Sequence, residues 1–103
     1  MVMLDLVVGP NILDQVTAME MIFDFYKRKE YVMPDAQDAV SFTVQESVEF
    51  LDCILRRKRY NRNHEQKDTI GREAAQTLLM LLVSCYLLGI DLDAEFKNLV
   101  EKS

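Results

Sequence analysis

Glu46-Ser47-Val48-Glu49 sets two carboxylates three residues apart, and Glu73-Ala74-Ala75-Gln76 repeats the spacing with an amide in last place. Residues at i and i+3 are neighbours on a helix surface, so Glu46 and Glu49 can address one point. If the two helices carrying these motifs pack antiparallel, three carboxylates and one amide oxygen converge across a groove. An all-oxygen set of this kind suits Mg²⁺ or Mn²⁺ rather than a metal selected by thiolate or imidazole. Taken singly, a Glu-x-x-Glu pair reads as two solvated surface groups, because short motifs match by chance. Here the neighbours Phe42, Val48, Phe50, Ala74 and Ala75 are apolar. Like charges crowded beside them raise each other's pKa and destabilise the fold unless a cation neutralises them.

The other reactive types are less informative. His64 is the only histidine, and it sits in the polar connector Arg56–Lys67, which holds six of the twelve Lys and Arg. No Ser or Cys nucleophile has an evident partner for it. Cys53 and Cys85 lie in apolar helical stretches, without the spacing of a zinc site or a disulfide framework, and read as buried thiols. Asp52 is placed to pair with Arg56 at i+4 on one helix. Tyr86 and the methionines at 19, 21 and 80 fall at core spacings.

Four helices are needed to position these groups. Gly9-Pro10-Asn11 precedes a helix from about Ile12 to Glu30, whose stripe is Ile12, Val16, Met19, Ile22, Phe23 and Tyr26. Lys27, Arg28 and Lys29 suit its negative pole. Pro34 closes that segment, and Asp35 caps a second helix from about Ala36 to Tyr60. The main apolar stripe of this helix is Val40, Val44, Val48, Leu51 and Leu55, with Phe42, Glu46, Glu49 and Cys53 nearly opposite. The carboxylates are thus expected at a second, partly dried contact. A third helix from about Asp68 to Leu88 ends at Gly89, and a fourth runs from about Asp91 to Glu101. The expected fold is all-α, a four-helix up-and-down bundle forming one domain over residues 1–103.

Composition agrees. The chain is 50% hydrophobic and 28% charged, with three Gly, two Pro and no Trp, which excludes wholesale disorder and disfavours an all-β fold. A net charge of -5 argues against a nucleic acid polymer as partner. Met1–Pro10 lacks a basic start and carries Asp5, a poor signal peptide. Thr77–Ile90 is free of charge but shorter than the roughly 20 apolar residues a membrane span needs. A cytoplasmic protein is the expectation. Thr77–Ile90 presents apolar side chains in every direction, more surface than one small monomer covers, so a homo-oligomer, most simply a dimer, is also expected.

With these pieces in order, the chain resembles the MazG-like all-α nucleoside triphosphate pyrophosphohydrolases over roughly residues 12 to 102. The matching motifs are Gln45-Glu46-Ser47-Val48-Glu49, Glu73-Ala74-Ala75-Gln76 and Leu88-Gly89-Ile90-Asp91-Leu92. The family pattern has Glu where this chain has Gln45, and Asp where it has Gln76. The resemblance implies Mg²⁺-dependent cleavage of a nucleoside triphosphate between the α- and β-phosphates, giving monophosphate and pyrophosphate. It implies Glu46, Glu49, Glu73 and Gln76 as metal ligands, with Mn²⁺ a possible substitute and Glu46 either holding the ion or orienting the attacking water. Arg56, Arg59 and Arg62 would receive outer phosphates, or else merely compensate the helix dipole. Lys102 falls near a basic position of the family's last helix. Family dimers also close over the carboxylate groove. The alternative is a weakened or inactive bundle of the same type, kept as a nucleotide-binding or protein-interaction module.

Overall fold

A computed structural model describes the backbone of residues 14–60 and 65–102, and their side chains except those of residues 56–69. The described residues form four α-helices and no strand: α1 (Gln15–Lys29), α2 (Ala36–Tyr60), α3 (Glu65–Leu88) and α4 (Leu92–Lys102). The all-α bundle expected from the sequence is thus present. Helix α3 begins at Glu65, one turn ahead of the expected Asp68. Ile12, His64, Arg62 and Met1–Pro10 lie outside the described residues, as do the Arg56 and Arg59 side chains.

Helix α1 starts where Asp14 accepts from the Val16 and Thr17 amides, replacing bonds that the first turn cannot make within the helix. It stops at Glu30, which adopts the left-handed conformation (φ 58°), while the Tyr31 amide donates to Tyr26 O at 2.9 Å. Gly89 (φ 69°) ends α3 in the same way, with the Ile90 amide donating to Cys85 O at 2.8 Å. Asp35 caps α2 through the Asp38 amide at 2.8 Å, as its position in the sequence suggested.

Helix α3 is the centre of the packing, in keeping with its all-round apolar latter half. Met80, Leu82 and Val83 meet Met19 and Ile22 of α1 and Ala39 of α2 in one core. Ala39 is fully buried, and its small side chain lets α2 and α3 approach closely. Beside it the Thr43 and Ser84 hydroxyls lie 3.2 Å apart. With one proton each, they divide donation between this contact and the carbonyls of Ala39 and Met80 on their own helices. Ser84 is buried, so these bonds remove what would otherwise be an unpaired polar group in the core.

Two features depart from the simple bundle. The pairings Gln15–Ile90, Phe23–Tyr86 and Tyr26–Met80 run α1 counter to α3, and Thr43–Ser84 with Glu46–Gln76 runs α2 counter to it as well. The first two helices therefore share one direction, and the order is not up-and-down. Residues 31–35, which carry no regular secondary structure, join the two helices and can span up to about 17 Å, enough for a return strap and not a tight turn. Helix α4, expected to complete the bundle, turns away from α3 by 106° and buries none of its residues. Among the described residues, no single helix is long and apolar enough to cross a membrane.

The second helix also turns a different face inward than its hydrophobicity suggests. Among its described side chains, Ala36, Ala39, Thr43, Glu46, Phe50 and Cys53 are buried or half-buried. Val40, Val44, Val48, Leu51 and Leu55, the main apolar stripe, are 43–60% exposed. Of the face expected to be secondary, Glu46 and Cys53 turn toward α3, whereas Phe42 and Glu49 are exposed.

Candidate metal centre

The inward turn of α2 brings its carboxylates to α3. Antiparallel pairing sets Glu46 opposite Gln76 and places Glu49 with Glu73, so the two i, i+3 motifs meet at one level of the helix pair. One carboxylate oxygen from each of Glu46, Glu49 and Glu73 lies within 4.8 Å of the others. Glu46 and Glu73 are half-buried and Glu49 is exposed. The cluster is therefore a groove between helices with one side open to water.

Gln76 belongs to the same cluster. With its amide nitrogen toward the carboxylates, it donates to Glu46 Oε2 at 3.0 Å and to Glu73 Oε2 at 3.3 Å. Gln45, at the other departure from the family pattern, reaches only the outer member: its Nε2 donates to Glu49 Oε1 at 3.5 Å. The Thr77 hydroxyl donates to Glu73 O at 2.9 Å, holding the turn of α3 that carries Glu73.

The electrostatics follow from this crowding. Glu46 is held above the usual carboxylate range, chiefly because burial penalises its charge. The negative charges of Glu49 and Glu73, and hydrogen bonds made to them by the protonated Glu46, push the same way. Ligands of one Mg²⁺ sit about 2.1 Å from the ion and thus at most about 4.2 Å from each other. Three oxygens already within 4.8 Å need only a small closing movement to meet that limit. The donor set is all oxygen once the Gln76 amide turns over, so the residues present fit a hard divalent cation.

Of the remaining candidates, Arg62 lies outside the described residues, as do the side chains of Arg56 and Arg59. Lys102 stands exposed in the last turn of α4. Cys53 and Cys85 are buried thiols, as expected. One contact escaped the sequence reading: Gln15 stitches α1 to the α3–α4 turn. Its Nε2 donates to Ile90 O at 2.9 Å, its Oε1 accepts from the Leu92 amide at 2.8 Å, and its own amide donates to Asp93 Oδ2 at 3.1 Å. A lone Gln at a helix start carries no signal of a bond formed 75 residues away. The chain matches no protein-family model, no curated protein and no solved structure.

Proposed function

We propose that the protein is a Mg²⁺-dependent nucleoside triphosphate pyrophosphohydrolase of the MazG-like type, releasing pyrophosphate and a nucleoside monophosphate. The observation that supports this reading is the convergence of Glu46, Glu49 and Glu73 from two helices onto one point, joined by Gln76. A divalent ion bound there would supply charge neutralisation at phosphate oxygens and a lowered pKa for an attacking water. Glu46, Glu49 and Glu73 would hold it, together contributing three negative charges. Gln76 would follow the state of the site: its nitrogen faces the carboxylates when they are alone, and its oxygen would face a cation. Glu46 is half-buried and neighbours both Glu49 and Glu73, which suits it to take up or orient a proton. The open side at Glu49 leaves room for the phosphates of a substrate.

Pyrophosphate release from a panel of nucleoside triphosphates, with Mg²⁺ or Mn²⁺, tests this. The expected result is turnover of at least one triphosphate that is lost in both Glu46→Gln and Glu73→Gln. Calorimetric metal titration accompanies it, with saturable binding that Glu49→Ala weakens.

A second reading has its own observation. The Gln76 amide nitrogen caps two carboxylates and partly satisfies the cluster without any ion, as a bundle that has given up catalysis would. Saturable metal binding with no pyrophosphate from any triphosphate would select this binding or interaction module. No saturable metal binding at all would remove the hydrolase reading and leave only an interaction module whose carboxylates Gln76 satisfies without an ion.

A further inference from the structure

At the end of α3 away from the carboxylates, an open cleft of about 620 Å³ lies between the start of α1 and the start of α4. Val16, Ile90 and Ala94 give it apolar walls, and Asp91, Asp93 and Lys97 are the charged residues along it. Both carboxylates are engaged: Asp91 accepts from the Ala94 amide at 3.0 Å, and Asp93 from the Gln15 amide at 3.1 Å. Lys97 makes no ion pair among the described residues. Val16 and Phe23, seven residues apart, share a face of α1. The edge-to-face pair of Phe23 and Tyr86, with ring centroids 5.0 Å apart, therefore carries the apolar lining about 10 Å further along α1. Val16, Phe23, Tyr86 and Ile90 are 38–67% exposed, and α4 buries none of its residues.

We propose that residues 1–13 of this chain fill the cleft and run on toward Phe23 and Tyr86, with Asp5 paired to Lys97. Three observations select this occupant. The first is attachment. Asp14 caps α1, and the next two residues, Gln15 and Val16, already line the cleft, so the preceding segment begins at its edge. A tether this short gives an effective concentration on the order of millimolar, which any separate partner must exceed. The second is composition. Nine of residues 1–13 are apolar and Asp5 is their one charged side chain, which matches apolar walls with one cation to spare. The third is Gly9-Pro10-Asn11, whose residue types favour a reversal of the chain ahead of α1. Beyond that reversal Met1–Val8 can span up to about 26 Å, more than the cleft and its extension require.

The segment then acts as a clasp, fastening α4 to α1 beside the bonds that Gln15 makes to the α3–α4 turn. Along the chain the cleft at Ile90 lies about 21 Å from Gln76, so the proposal does not depend on the hydrolase reading.

Cysteine cross-linking on the full chain tests it, with Leu6→Cys beside Asp5 in sequence and Ala94→Cys one turn from Lys97. Neither substitution touches the ion pair, Ala94 is exposed, and the native Cys53 and Cys85 are buried. Under mild oxidation this double variant is expected to form an intramolecular disulfide about tenfold faster than Leu6→Cys with Lys27→Cys. Lys27 is exposed and lies about 18 Å along α1 from Gln15. Adding Asp5→Lys is expected to slow the reaction several-fold, and adding Lys97→Glu as well should restore it. Hydrogen exchange reads the same contact without new thiols: Leu4→Asp is expected to speed exchange of the α4 amides several-fold and to leave Val83 unchanged. Equal rates for the two cysteine pairs overturn the proposal, since the segment then has no preferred seat. A disulfide between two chains overturns it by giving the cleft to a second copy. Unchanged α4 exchange in Leu4→Asp overturns it too, and charge reversal without effect overturns the pairing of Asp5 with Lys97.

Discussion

Gln76 donates its amide to Glu46 across the α2–α3 groove at 3.0 Å, and the same nitrogen reaches Glu73 at 3.3 Å. One neutral side chain thus donates to two carboxylates that also meet each other directly. Hydrogen bonds to charged groups contribute about 1.5–3 kcal/mol each when well formed. The cluster is therefore held by an amide that a metal ion would have to turn around.

Replacing that amide with a carboxylate should reverse the balance. Gln76→Asp removes both donations and adds a fourth negative charge beside Glu46 and Glu73. Without metal, a loss of about 1–3 kcal/mol is expected. With Mn²⁺, the added charge should tighten binding and raise the melting temperature above that of the metal-loaded wild type. Paired melts in EDTA and in Mn²⁺ read both signs. A change of the same size in both conditions would place Gln76 outside the metal site.

The raised pKa of Glu46 predicts a pH dependence in the metal-free protein. Its folded value lies above the unfolded 4.5, so the folded state binds more proton between the two. Its contribution to stability is then fully present below pH 4.5 and lost as pH rises through the folded value. Urea midpoints in EDTA should show the wild type losing stability relative to Glu46→Gln over that window. Divalent metal binding should strengthen over the same rise, because the ligands must be deprotonated. Parallel pH profiles for the two proteins would refute the coupling.

Glu30 ends α1 in a conformation that glycine adopts freely and other L-residues adopt at a cost of about 1–2 kcal/mol. Glu30→Gly relieves that strain but adds freedom to the unfolded chain, which offsets part of the gain. A net stabilisation of about 0.5–1 kcal/mol is expected in urea melts. Gly89→Ala, at the equivalent place on α3, should lose a similar amount.

Gln15→Ala removes the two side-chain bonds that tie the α3–α4 turn to the start of α1. The expected cost is roughly 1–2 kcal/mol, since Ile90 O and the Leu92 amide lose their partners at a site water can enter. The local signature is faster hydrogen exchange at the Leu92 amide, with little change at Val83 in the core. Equal acceleration at both amides would show that the bonds support the whole fold and not the α4 junction.

What the sequence by itself determined is local. Apolar periodicity, Asp35 as a cap and Gly89 as a stop placed four helices within a few residues, because turns, caps and stripes are set by near neighbours. The i, i+3 spacing put Glu46 with Glu49 and Glu73 with Gln76 for the same reason. Tertiary structure decided which faces met. Val40, Val44, Val48, Leu51 and Leu55 form the more hydrophobic stripe, yet Ala39, Thr43 and Glu46 turn inward, because a small side chain permits close approach to α3 and hydroxyls there find partners. Periodicity measures how apolar a face is and carries no information about its shape or its partner. The direction of α1 relative to α2 was likewise decided by the path of residues 31–35, whose reach depends on backbone conformation and not on length alone. The geometry of the carboxylate cluster is the product of both levels: spacing made each pair, and an antiparallel register chosen by packing brought the pairs together.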